Sequence, residues 1–198
     1  MFIHGQPIVA LVLFLSLPLL RIEARKYAWT ASIDRVTGIA TSREVSIVPK
    51  PFRNHIAATF SSYPTWLVKP SVTFGLLNAK KNTKNGATMI CLRYFGCELL
   101  TFGPAVMRDR NTVELPIRGG LLAQINEKKR QNGSLIFRYT KNQAIETEIQ
   151  CGYRPSIMGP PPVPLWRGLA YRGSQSVIHG YVMWRFHRYC YSEDHKIV

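Results

Sequence analysis

Acidic residues are scarce in this chain. Eleven Asp and Glu stand against 26 Lys and Arg, a formal charge of +15 over 198 residues. Carboxylate pairs for acid/base chemistry are correspondingly few. Glu146 and Glu148 share one side of an alternating run, and that alternation turns them toward solvent. Cysteine is also sparse, at four residues with no CxxC pair, which gives no support to a zinc ribbon or a thioredoxin-like site. GxSxG, HExxH and P-loop motifs are missing, so no cofactor is expected. No uninterrupted apolar run reaches the roughly 18 residues of a confident membrane span. There is no internal repeat, and the 13 Pro and 14 Gly follow no period, which excludes collagen-like architecture. What is present is a 46% hydrophobic, 11% aromatic composition. That excludes a disordered chain and suits one domain.

The apolar block at 7–20 (PIVALVLFLSLPLL) has the length of a signal-peptide core. Ala24 offers a cleavage point, giving an expected leader over 1–24. The basic residues follow the block, as Arg21, Arg25 and Lys26, instead of preceding it. That asymmetry makes an uncleaved N-terminal anchor the second reading. A secreted or membrane-associated protein is therefore expected. Two disulfides among Cys91, Cys97, Cys151 and Cys190 would be permitted there; bonding Cys91 to Cys97 would need a turn at Gly96. Asn132-Gly133-Ser134 is a sequon, so Asn132 is a glycosylation site if the chain is secreted. Asn-Gly is equally a hairpin signal.

Residues 25–86 form a poorly patterned N-terminal part. A short strand at 45–48, a short helix over 55–60 ended before Pro64, and a basic loop at 78–85 are its readable features. The pattern sharpens over 87–192. Thr88 to Phe95 is β-rich, Pro116 points to an edge or a bulge, and Gly119-Gly120 to a bend or close backbone approach. In Ser134–Thr140, Leu135, Phe137 and Tyr139 share a face. In Ala144–Tyr153, Ile145, Thr147 and Ile149 alternate against Glu146, Glu148 and Gln150. A Pro-rich link at 160–164 precedes a long helix reaching Tyr191. Its glycines lower helix propensity and favour a start near Ser174; residues 193–198 form a tail. At 100° per residue, Tyr171, Gln175, Ile178, His179, Val182, Phe186 and Tyr189 share one side of this helix.

These elements predict an α+β fold, an antiparallel meander of about four strands packed against a long C-terminal helix. The order from Thr88 to Tyr191 resembles the C-terminal half of START-like, helix-grip ligand-binding domains. A lipocalin-like barrel with a terminal helix is the alternative. The resemblance implies a cavity between sheet and helix.

Three functions follow as expectations. The first is non-catalytic binding of a small apolar molecule or lipid, with Tyr139, Tyr171, Gln175, His179, Val182 and Phe186 lining the site. The second is a cyclase- or hydrolase-like enzyme using His179, alone or with Cys91 or Cys151. The third is a basic interaction module. Trp166, Arg167, Arg172, Tyr181, Trp184, Arg185 and Arg188 interleave Arg with aromatics, which suits an anionic membrane surface. The apolar N-terminus and the lack of an RNA-binding motif argue against nucleic acid. His187, Cys190 and His195 have loose ligand spacing, too little to predict a metal.

Overall fold

The computed structural model describes residues 27–48, 56–124, 133–150 and 153–192. The leader segment, Asn132, Cys151 and His195 lie outside them.

The described residues open with a hairpin of β1 (Tyr27–Ile33) and β2 (Ala40–Ile47). Three short helices follow: α1 (Ile56–Ser61), α2 (Tyr63–Leu67) and α3 (Pro70–Thr73). The short helix expected over 55–60 is α1, which ends at Ser61 before Pro64, and Pro64 sits in the first turn of α2, where a missing N–H leaves no hydrogen bond unmade. A meander then runs through β3 (Leu77–Lys81), β4 (Thr88–Leu92), β5 (Glu98–Phe102), β6 (Val106–Asp109), β7 (Thr112–Gly119), β9 (Ser134–Tyr139) and β10 (Ala144–Gln150). The pair β8 (Ala123–Gln124) and β11 (Arg154–Pro155) forms a small separate sheet. Two helices, α4 (Leu165–Gly173) and α5 (Gln175–Ser192), complete the chain.

Among the described residues the main sheet has nine strands in the order β1-β2-β10-β9-β7-β5-β4-β3, with β6 beside β7. All its pairings are antiparallel. The architecture is thus an antiparallel sheet packed against a long C-terminal helix, as the element order predicts. It differs in two respects. The strand order is open, with no pairing between β1 and β3 among the described residues, so the lipocalin-like barrel is not formed. In the poorly patterned N-terminal part the short strand expected at 45–48 is the end of β2, and β3 occupies half of the basic stretch read as a loop.

Pro116 sits where β7 exchanges partners, pairing β6 up to Glu114 and β5 from Ile117. A residue without an N–H fits that switch. Gly120 has φ +120, and a Cβ there would lie 2.6 Å from the Leu99 carbonyl oxygen. The close approach read at Gly119-Gly120 is therefore real, and it tightens β7 onto β5.

Alternation decides the faces of β9 and β10. Leu135, Phe137, Ile145, Thr147 and Ile149 are buried. On the outer face Glu146 pairs with Arg43 of β2 at 3.2 Å and Arg138 of β9 at 3.9 Å. The core between sheet and helices is aromatic. Phe186 of α5 lies 5.2 Å from Phe137 and 4.9 Å from both Tyr63 and Trp66, centroid to centroid, and Phe60 stacks on Phe137 at 5.4 Å. These separations suit the offset and edge-on contacts aromatic rings prefer.

The C-terminal helix breaks at Ser174 (φ −126, ψ −88). On α5 the buried residues are Ser176, Gly180, Met183, Phe186, His187 and Cys190, spaced by threes and fours. This stripe is rotated by about 100° from the side chosen on hydrophobicity, one residue's step around the helix. The cause lies across the interface. Strand β2 buries Ala40, Ser42, Glu44 and Ser46 and exposes Thr41, Arg43 and Ile47. Its inward face is the polar one, and the helix meets it with small and polar residues. Gly180 lets the helix approach β1 closely: a Cβ there would sit 3.0 Å from the Trp29 ring. Tyr27 Oη donates to the Gly180 carbonyl at 2.7 Å.

Candidate functional site

Two imidazoles on α5 stand two turns apart over the polar row of β2. The inner one, His187, is fully buried. Its Nδ1 is 2.7 Å from Ser46 Oγ and its Nε2 is 2.7 Å from Thr147 Oγ1. A neutral imidazole has one donor and one acceptor, so the two hydroxyls satisfy it completely. Burial first, and the positive charge of His179 second, push its pKa down to about 3. Cys190 follows one turn later, its thiol pKa raised by burial. With both ring nitrogens of His187 engaged and the Cys190 thiol held protonated, the loose ligand spacing serves packing. Among the described residues no three His, Cys, Asp or Glu converge on a metal site.

The second imidazole, His179, keeps its side chain one-fifth exposed. Its Nε2 lies 3.2 Å from Ser42 Oγ and also 3.2 Å from Glu44 Oε1. The Ser42 contact is a hydrogen bond whose direction follows the imidazole tautomer. The Glu44 contact is close enough for an ion pair, and among the described residues neither Glu44 oxygen receives a hydrogen bond. Glu44 is 0% exposed. A fully buried carboxylate without donors is unusual, because such a group ordinarily loses several kcal/mol of hydration and must recover it from partners.

Three phenols feel the charge of this carboxylate. Burial raises the pKa values of Tyr27, Tyr63 and Tyr171, that of Tyr171 to about 12, and the negative charge of Glu44 adds to each.

The residues expected to line a ligand separate into two sets. Tyr171, Gln175 and His179 lie along the N-terminal half of the helical region. Tyr171 is buried, and Gln175 donates to Tyr153 Oη at 2.6 Å and to the Leu122 carbonyl at 3.2 Å. Phe186 belongs to the aromatic core, while Tyr139 and Val182 are half-buried at its margin. Ser42 and Glu44 were not legible as site residues. The one available signal was the period-two run 40–47, and its β-branched members Thr41, Val45 and Ile47 point away from the helix.

Nucleophilic chemistry finds no complete apparatus among the described residues. A relay needs hydroxyl and carboxylate on opposite ring nitrogens. Here Ser42 and Glu44 both approach Nε2. Cys91, Cys97 and Cys190 are free thiols, the first and last of them buried, although the turn at Gly96 (φ +61) is formed.

No protein-family model matches the chain, and no curated protein matches it. Among solved structures it is similar to the major latex-like protein 151 of ginseng, Panax ginseng, with a TM-score of 0.37 and 8% identity, over 80% of this chain and 97% of that one.

The Arg and aromatic residues of the C-terminal segment divide by location. On α4, Leu165, Trp166 and Leu169 are each more than 60% exposed. Arg172 is exposed beside them, and the Arg167 guanidinium lies 5.1 Å from the Trp166 ring while donating to the Met158 carbonyl at 3.1 Å. On α5, Arg185 is tied to the Ser71 carbonyl at 2.8 Å and stands 5.9 Å from the Tyr181 ring. Arg188 stands over Trp184 at 5.1 Å. Among the described residues no helix is long and apolar enough to cross a membrane.

Proposed function

We propose that this protein binds a small, largely apolar molecule between the sheet and the N-terminal half of α5, with Glu44 and His179 as the polar end of the site. The observation that carries this reading is the buried Glu44 carboxylate, without a hydrogen-bond donor of its own, beside an imidazole that reaches the surface. Apolar walls with a few convergent polar groups are what small-molecule sites use. The tight packing around Phe186 restricts the site to the Tyr171–His179 side of the interior. Extraction and native mass spectrometry of the purified protein test the reading. A copurifying apolar molecule is expected, its yield lowered in His179→Ala. Ligand-free protein that also fails to take up apolar probes would refute it. Catalysis through His179 has weaker support, since no relay partner stands on its other nitrogen.

A second reading, contact with an anionic membrane surface, is favoured by α4. Its exposed Leu165, Trp166 and Leu169 are flanked by Arg167 and Arg172, the combination an interfacial helix uses. Both readings suit the expected delivery of the chain to a membrane or the secretory route, which the mass of the mature N-terminus would decide.

A further inference from the structure

Resting on the apolar-ligand reading, we infer that the ligand carries a hydrogen-bond donor, a hydroxyl or an amine, on its apolar body, and that carboxylate-headed molecules are rejected.

The inference follows from which valences the site leaves open. Glu44 presents two acceptor oxygens, both buried and neither receiving a hydrogen bond from the described residues. Ionised carboxylates accept and do not donate. The neighbouring ring nitrogen, His179 Nε2, is already engaged by Ser42 Oγ. A hydroxyl or amine entering beside His179 would supply the donor that Glu44 lacks. Hydrogen bonds to charged groups are the stronger kind. A fatty-acid head would bring a second anion against the first.

The charge count within the site points the same way. His179 is the only basic side chain in contact with Glu44 among the described residues. Even when protonated, it balances one carboxylate and leaves no positive charge for another. The rings of Tyr27, Tyr63 and Tyr171 sit within the electrostatic reach of that carboxylate.

The protein as a whole argues for the opposite preference, which makes the inference sharp. A chain of charge +15 attracts anions. Surface charges are screened over about 8 Å at physiological salt, whereas the buried carboxylate is not, so the local group decides the selectivity.

Calorimetric titration of the purified full chain with decanol, decylamine and decanoate, at one ionic strength, tests this. The tails are matched, so only the head differs. At least one donor-headed probe should bind about tenfold or more tightly than decanoate, the low end of what a hydrogen bond to a charged group contributes. In Glu44→Gln the difference should collapse, with decanoate gaining most. Decanoate binding as tightly as both donors overturns the inference and leaves the apolar-ligand reading standing. A donor preference that persists in Glu44→Gln also overturns it, by placing the selectivity elsewhere. Failure of all three probes to bind overturns both. Should Glu44→Gln not fold, the order of the three probes on the unaltered protein decides alone.

Discussion

The buried imidazole of His187 makes a quantitative demand on stability. Folded, the ring is neutral down to about pH 3; unfolded, it takes up a proton near pH 6.5. Above pH 6.5 both states are neutral and the ring exerts no pH-dependent effect. As pH falls below 6.5 the unfolded chain binds a proton that the folded chain refuses, so stability drops by about 1.4 kcal/mol per pH unit until the folded pKa is reached. Integrated from pH 7.5 to 4.5, this single group removes about 3 kcal/mol, a large share of the roughly 5–15 kcal/mol typical of a domain. Urea unfolding followed by circular dichroism at half-unit pH steps measures it. Carboxylates add a loss of the same sign at lower pH. Glu114, held down chiefly by its hydrogen bond from Ser134, is one of them. The informative quantity is therefore the difference from His187→Gln, which keeps a donor and an acceptor between Ser46 and Thr147 but does not titrate. The variant should be less stable at pH 7.5 and lose less stability on acidification. Parallel curves for the two proteins would refute the assignment of a neutral, fully satisfied His187.

Three further perturbations follow from the packing. Phe137→Ala empties the centre of the aromatic core and should lower stability by about 3–5 kcal/mol, read from the urea midpoint at unchanged m. Gly120→Ala should lower it by more than about 1 kcal/mol, because the φ of +120 and the Leu99 carbonyl 2.6 Å from the new Cβ leave no room for it; an unchanged midpoint would mean that β5 and β7 are less tightly apposed. Replacing Leu165 and Leu169 of α4 by Ser should weaken cosedimentation with phosphatidylserine vesicles about tenfold or more without altering the unfolding midpoint, since both side chains are solvent-exposed; equal binding would remove α4 from any membrane contact.

How much of this was legible depended on what each element packs against. Strands β9 and β10 have an apolar interior partner, so Leu135, Phe137, Ile145 and Ile149 alternated cleanly and their faces could be read. The break near Ser174 was legible too, through the low helix propensity of Gly173 and its neighbours. Strand β2 was opaque for the opposite reason. It turns Ser42, Glu44 and Ser46 inward, and hydrophobic alternation would have assigned its faces the wrong way round. The orientation of α5 failed with it. A helix that buries Ser176, Gly180 and His187 has its most apolar arc elsewhere, and only knowledge of the polar strand opposite corrects the angle. The candidate site lies where these two misleading patterns meet. Local sequence rules are most often broken at such places.

The position of β1 has a consequence for the kinetics of the interior. Trp29 of β1 is directly opposite Glu44 of β2, and β1 is the terminal strand of the sheet. Terminal strands detach more readily than central ones, in local openings far smaller than global unfolding. Each such opening would release one side of the backbone that carries Ser42, Glu44 and Ser46, and lift Trp29 from its contact with Gly180. Amide protons of β2 facing β1 should therefore exchange with solvent faster than those facing β10. Solvent, or a ligand head group, would then gain intermittent access to the buried carboxylate through the side of the sheet, at a rate set by fraying of the first hairpin.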